Sequence, residues 1–249
     1  MKRSLCLFLL ILGAASLAVG QGQPGKNGTS SDASAIPAVS ITAESTPTDL
    51  AKAALTAMGG DKFRNLQNML LRGSVNLYAP NSIQSVPGGF SIVTAGDKLR
   101  MEIDARPMIV FKQIYNGQQS YSSMPGVELP PPTRFGWGVL VKYDQPGYKV
   151  TAIADKKKQR GFRIEDPEGY ATDFYIDPAN GRVMSFLLSY NNYTFGTENK
   201  KFKEVDGVLV PFSFSQRFEM PQGAFFAEYS VKEAKLNQSL GDDAFAIPN

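Results

Sequence analysis

The sequence predicts a mainly β protein: a curved antiparallel sheet forming an unclosed barrel, with one or a few N-terminal or lid helices. Three observations carry this. Apolar and polar residues alternate with period two in stretch after stretch beyond Met69, as in KEVDGVLVPFSFSQRFEM, Lys203 to Met220, and a strand with one buried face has that period. Short turn signals separate the stretches: Gly96-Asp97, Asn116-Gly117, Asp166-Pro167-Glu168-Gly169, Asp177-Pro178-Ala179-Asn180-Gly181 and Asp206-Gly207. Strands joined so tightly are antiparallel neighbours. Helix signals, in contrast, are complete at only one place. A flat meander of this length would leave two bare edges and one greasy face, so the sheet is expected to curl.

Residues 1–20, MKRSLCLFLLILGAASLAVG, have a basic start at Lys2 and Arg3, an apolar run from Leu5 to Leu12, and small residues Ala18 and Gly20 at the −3 and −1 positions. This is the pattern of a secretory signal peptide cut before Gln21; an uncleaved anchor is the alternative. The expected product is a soluble exported protein, periplasmic or secreted. Residues 21–46 are rich in Gly, Ser, Thr and Ala and read as a disordered linker. A single β domain is expected over 47–249.

That domain opens with a helix. Thr46 is placed to cap it, Pro47 takes the first helical position, and Asp49 stands at capping-box spacing. Leu50, Ala54, Ala57 and Met58 share one face, Gly59-Gly60 ends the helix, and 61–66 adds a short turn. Strands are expected at 68–78, 89–95, 98–105, 108–115, 118–124, 148–154, 160–166, 169–177, 182–190, 199–206, 208–219 and 224–235. Pro211 cannot donate to a ladder and belongs at an edge or a bulge. Residues 125–147 break the rhythm with five prolines and the only tryptophan, Trp137. Connections of this length are often lids or binding loops. FGWGVLVKY within it is a candidate short helix plugging the open end of the sheet.

Composition excludes much chemistry. The chain has no histidine, which removes His-based triads, imidazole acid–base catalysis and imidazole zinc sites. Its one cysteine, Cys6, precedes the apolar run, so it is not a lipid-attachment residue, and residues 21–249 have no thiol. Losing Lys2 and Arg3 with the signal would take the formal charge from +3 to +1, leaving no electrostatic case for nucleic acid. The acidic residues Asp104, Glu165, Asp166, Asp173, Asp177, Asp242 and Asp243 are scattered, with no spacing that singles out a catalytic pair. DKKKQRG, 155–161, is a basic hairpin tip whose sharper reading is a contact with acidic lipid headgroups. No enzyme activity, cofactor or metal is expected.

The positive signal is apolar. Met184, Phe186, Leu188 and Tyr190 share one parity, as do Val208, Val210, Phe212, Phe214 and Phe218. One convincing helix is too little to fill the hollow side of a large curled sheet, so the 125–147 segment or a ligand must occupy it. Phe186, Leu188, Phe212, Phe214, Phe218 and Trp137 are the candidate cavity or lid residues.

The series YIDPANGRVMSFLL, KFKEVDGVLVPFSFSQRF and the closing DDAFAIPN, with ALTAMGGDKFRNLQNMLLRGSV and DKLRMEI nearer the N-terminus, resembles the LolA-like proteins, the outer-membrane lipoprotein-sorting superfamily, over roughly 47–249. The resemblance implies an unclosed barrel of LolA/LolB type, helices lidding an apolar cavity, and a non-enzymatic carrier of lipid or lipoprotein acyl chains in the envelope. It implies transient membrane contact, and envelope proteins as further partners. Two departures stand out. Lid helices are few, and for the arginine that holds the family's lid only Arg134 in the long loop offers itself. A binding or sensing module that recognises a protein partner is the second expectation.

Overall fold

The computed structural model describes residues 39–124, 130–190, 193–220 and 223–248. They fall within one compact unit, Ala33–Asn249. The segment expected as a signal peptide lies outside the described residues, as do 21–38 of the expected linker.

Helix α1 spans Pro47–Met58. Its start is a reciprocal cap: the Asp49 N–H donates to Thr46 Oγ1 at 3.2 Å, and the Thr46 N–H donates to Asp49 Oδ2 at 2.9 Å. These bonds satisfy two amides that have no partner inside the helix. The Thr46 hydroxyl and amide also hold the Asp49 carboxyl below its ordinary range. Leu50, Ala51, Ala54, Leu55 and Met58 form the buried side. Gly59 ends the helix at φ 124°, and the one-turn α2, Asp61–Arg64, follows and buries Phe63. Just before α1, the Arg160 guanidinium donates to the carbonyl oxygens of Thr42, Ala43 and Ser45, so this stretch runs against the domain.

Twelve strands make one antiparallel sheet: β1 Met69–Tyr78, β2 Ser85–Ala95, β3 Lys98–Ala105, β4 Ile109–Tyr115, β5 Ser120–Ser122, β6 Lys149–Ala152, β7 Arg160–Glu165, β8 Ala171–Ile176, β9 Val183–Tyr190, β10 Tyr193–Val205, β11 Val208–Met220 and β12 Gly223–Leu236. The spatial order is β5-β4-β3-β2-β1-β12-β11-β10-β9-β8-β7-β6. Strands joined by tight turns are neighbours in space; the exception among consecutive strands is β5 and β6, and β12 returns to pair with β1. The outermost strands are therefore β5 and β6, which follow one another in the chain. The connection between them must cross from one margin of the sheet to the other, which is why it is long. On the way it forms a 3₁₀ turn, Pro132–Arg134, and the short helix α3, Trp137–Leu140. The unclosed sheet with few short helices is the architecture the alternation predicted.

Both strand prolines sit where a ladder stops. β11 pairs with β12 only from Ser213 onward, so Pro211 has a partner on the β10 side alone. Pro87 pairs with Asn76 of β1 but lies beyond the β2–β3 ladder, which starts at Gly89. A missing N–H costs nothing on a side with no acceptor to reach. Next to Pro211 the β10–β11 register slips, leaving Phe212 opposite no residue of β10. A second slip lies between Arg72 and Gly73 of β1, facing β12.

Candidate ligand-binding face

Residues directly opposite one another in an antiparallel ladder project from the same face. Register therefore assembles cross-strand rows. One row reads Phe162, Phe174, Phe186, Thr197, Gln216, Ala227, Leu77 and Val86 across β7 to β2. The adjoining row toward one end of the strands reads Ile164, Thr172, Leu188, Phe195, Phe218 and Phe225. On the other side stand Asn199, Phe214, Tyr229 and Val75. All three belong to the face that carries the helices, because Trp137 of α3 meets Phe186 edge-on at 5.6 Å between ring centres, and Phe63 of α2 meets Trp137 at 5.7 Å. α1 packs on β6, β7 and β11 of the same half.

The rings on this face touch in series. Phe162 stacks on Phe174 at 5.1 Å, and Phe174 lies 6.0 Å from Phe186. Phe214 stacks on Tyr229 at 4.6 Å, and Phe90 of β2 stands edge-on to Tyr229 at 5.0 Å. Each such pair adds about 0.5–1.5 kcal/mol to the burial it contributes. α3 is fitted closely to this surface. Gly136, with φ +53°, precedes Trp137, and a Cβ there would lie 2.7 Å from the Phe186 ring. Only glycine allows that backbone so near an aromatic face. Arg134 stacks over Tyr170 at 4.8 Å and pairs with Glu168 of the β7–β8 turn, which ties the 3₁₀ turn to the rim.

The six sequence-predicted residues fall in different settings. Phe186, Leu188 and Phe214 are buried on the helix-bearing face. Trp137 is half-buried and packs over Phe186. Phe218 is half-buried near the strand ends, stacked on Phe195 at 4.8 Å and tilted against Tyr193 at 5.3 Å. Phe212 lies in the bulge, half-buried against the core, with the Lys203 ammonium 4.4 Å from its ring centre. The strand expected over 199–206 starts at Tyr193 in the structure, so Tyr193 and Phe195 join the face without having been candidates. The signal was present: Tyr193, Phe195, Thr197 and Asn199 alternate with Thr194, Gly196 and Glu198.

The half-buried rings form a rim. Tyr193, Phe195 and Phe218 continue the covered face outward to Phe225, which is 37% exposed. Ile83, Met108 and Phe226 lie in or beside turns at the same end of the strands and are 97%, 73% and 41% exposed. At the opposite end is a crevice of 490 Å³ lined by Asp61, Lys62, Asn65, Leu66, Asp206, Val208, Leu236 and Asn237. It is mixed in polarity and lies where α2 meets the β10–β11 turn, away from the ring face. Among the described residues no cluster of three or more His, Cys, Asp or Glu could hold a metal, and no helix is long and apolar enough to cross a membrane.

Tyr229 gives the face a pH signature. Burial pushes its phenol well above the ordinary range. The folded state therefore holds that proton more tightly than the unfolded chain, and stability is fully present below about pH 10 and lost as pH rises beyond it. Tyr143, Tyr148 and Tyr175 are raised in the same direction, first by burial. Tyr229→Phe is expected to flatten the fall of the urea midpoint between about pH 9 and 11.5 without abolishing it. An unchanged slope would mean that Tyr229 ionises freely in the folded protein.

No family model matches the sequence, and no curated protein matches it. Solved structures do. A LolA superfamily protein from Nitrosomonas europaea superposes with a TM-score of 0.52 at 12% identity, over 82% of this chain and 98% of its own. A DUF1329 family protein from Desulfovibrio piger gives 0.50 at 10% identity, over 81% and 98%. At such identities the likeness is one of backbone, and it spans nearly the whole of both solved chains. The twelve-stranded unclosed sheet with its short helices is a LolA-like fold.

Proposed function

We propose that this protein is a non-enzymatic carrier of the exported envelope, binding the acyl chains of a lipid or lipoprotein on the helix-bearing face. The supporting observation is an apolar row on that face: buried Phe186 and Leu188 lead to half-buried Phe195 and Phe218 and on to exposed Phe225, with Phe214 buried beyond Gln216 on the same strand as Phe218. The two parts have complementary roles. The rim meets the chain first, and the α3 segment over Phe186 is the cover that yields to it. The LolA-like fold and the secretory pattern of residues 1–20 agree with this reading. So does the absence of histidine and of a thiol beyond residue 20, since a carrier needs neither.

Energetics fit reversible carriage. Sixteen buried methylenes are worth roughly 13 kcal/mol gross, and association costs on the order of 4–15 kcal/mol. The remainder is an affinity from which cargo can be released. Displacement of a fluorescent fatty acid tests this. Phe218→Asp sets a charge in the rim of a residue that is only half-buried, so the fold should survive, as circular dichroism would verify. Binding is expected to weaken at least tenfold. Unchanged affinity in a folded variant would remove the rim from the site.

A second reading rests on Ile83, Met108, Phe225 and Phe226 at one end of the strands. All four are exposed at that end, Phe225 and Phe226 from opposite faces of β12. A module recognising an envelope protein partner would use that end, and then no lipid would accompany the purified protein.

A further inference from the structure

Four buried side-chain polar atoms have no hydrogen-bond partner among the described residues: Arg64 Nε, Arg160 Nε, Thr172 Oγ1 and Gln113 Oε1. Arg64 has another guanidinium nitrogen engaged with Asp144, and Arg160 Nε lies 3.3 Å from Asp155 Oδ2 while its other nitrogens reach the Thr42 carbonyl. Thr172 carries a single hydroxyl on a free rotor, beside Ile164 and Leu188. Gln113 is different in kind. It is a carboxamide, 1% exposed, whose Oε1 is unmet and which stands between Met101 and Ser122 in its cross-strand row.

Register places it there. Leu71, Ile92, Met101 and Gln113 stand opposite one another across β1, β2, β3 and β4, and Ser122 of the three-residue edge strand β5 follows. Leu71 and Met101 belong to the same buried cluster as α1, Phe186 and Phe214, and Ile92 packs against it, so the carboxamide is on the helix-bearing face. α1 and α3 lie on the other half of the sheet, over β6, β7 and β11. A leucine or methionine would fill the same space without burying an unmet acceptor, and buried polar groups in native proteins are almost always bonded.

We infer that Gln113 receives the hydrogen-bonding group of the ligand, which is therefore an acyl chain bearing a hydroxyl or a secondary amide rather than a plain hydrocarbon chain. This rests on the carrier reading above and deepens it. A hydroxyl or an amide N–H supplies the donor that the unmet Oε1 lacks. Plain acyl chains would leave Gln113 unmet and bind more weakly. Discrimination arises from the penalty on the wrong ligand, as in other sites built around a buried polar group.

The test compares myristic acid with its 2-hydroxy and 3-hydroxy counterparts by displacement of a fluorescent fatty acid, on the wild-type protein and on Gln113→Met. Wild type is expected to favour one hydroxylated acid by about tenfold, the value of one net hydrogen bond. Gln113→Met should bind the acids equally, with myristic acid bound as well as before or better. Equal affinities in wild type would overturn the inference, as would a preference that survives in Gln113→Met. The wild-type comparison decides alone if the variant fails to fold. If none of the acids displaces the probe, the carrier reading itself falls, and Gln113 with it. A high-resolution structure with a water bridging Gln113 to the protein in the presence of the hydroxylated acid would also contradict it.

Discussion

Phe174→Ala is expected to lower folding stability by about 3–5 kcal/mol, the range for removing a fully buried phenylalanine. Phe174 has no exposed surface, is stacked on Phe162, and stands next to Phe186 in the row beneath α3. Two rings, Phe162 and Phe186, therefore lose a partner, and closely packed surroundings relax only in part around the cavity. Urea unfolding followed by far-UV circular dichroism measures the loss. A second signal reports its location: Trp137 is the only tryptophan, and its edge contact with Phe186 should loosen, moving its emission to the red in the folded variant. A loss below about 1 kcal/mol would mean that this row is not the packed centre described here.

Gly73→Ala should destabilise by about 3 kcal/mol or more, although it adds one methyl group. Gly73 lies mid-strand in β1, at the register slip against β12. A Cβ there would come within 2.0 Å of the Ser230 carbonyl oxygen and 2.9 Å of the Phe90 ring. The oxygen is backbone and the ring is held by Tyr229 and Phe214, so neither can step aside cheaply. Relief requires separating β1 from β12, the pairing that joins the two halves of the sheet. Thermal unfolding would detect the change. A variant as stable as wild type would show that the β1–β12 contact is looser than its geometry.

These two residues illustrate what the sequence discloses. α1 was legible to its ends because a capping box and a Gly-Gly stop are local. Lys98–Ala105 was legible because alternation and the Gly96-Asp97 turn bound it on both terms. Gly73 gave no sign of its role, since a bulge is set by the partner strand and not by the residue's own neighbours. Phe212 was grouped by parity with Phe214 for the same reason, and the slip beside Pro211 places it opposite nothing. The first half of β10 lies outside the expected strand, where Gly196 weakens the signal, and the strand expected over 89–95 begins at Ser85, before Pro87 and Gly88. That β5 and β6 are opposite margins is a property of the whole topology; the sequence conveyed only that 125–147 is long. Of the candidate site, the parity of Phe186, Leu188 and Phe214 was readable. The rim needed register. Gln113 was readable in principle, as a polar residue on the parity of Phe111 and Tyr115, but only burial distinguishes it from a solvated glutamine.

The central claim is that the helix-bearing face accepts an acyl chain. Native mass spectrometry of the protein purified from its own source tests it most directly. A population carrying an extra mass of one lipid or acylated molecule is expected, released on denaturation and lost in Phe218→Asp. Protein that is wholly free of added mass, and that leaves a fluorescent fatty acid undisplaced and unbound, would contradict it.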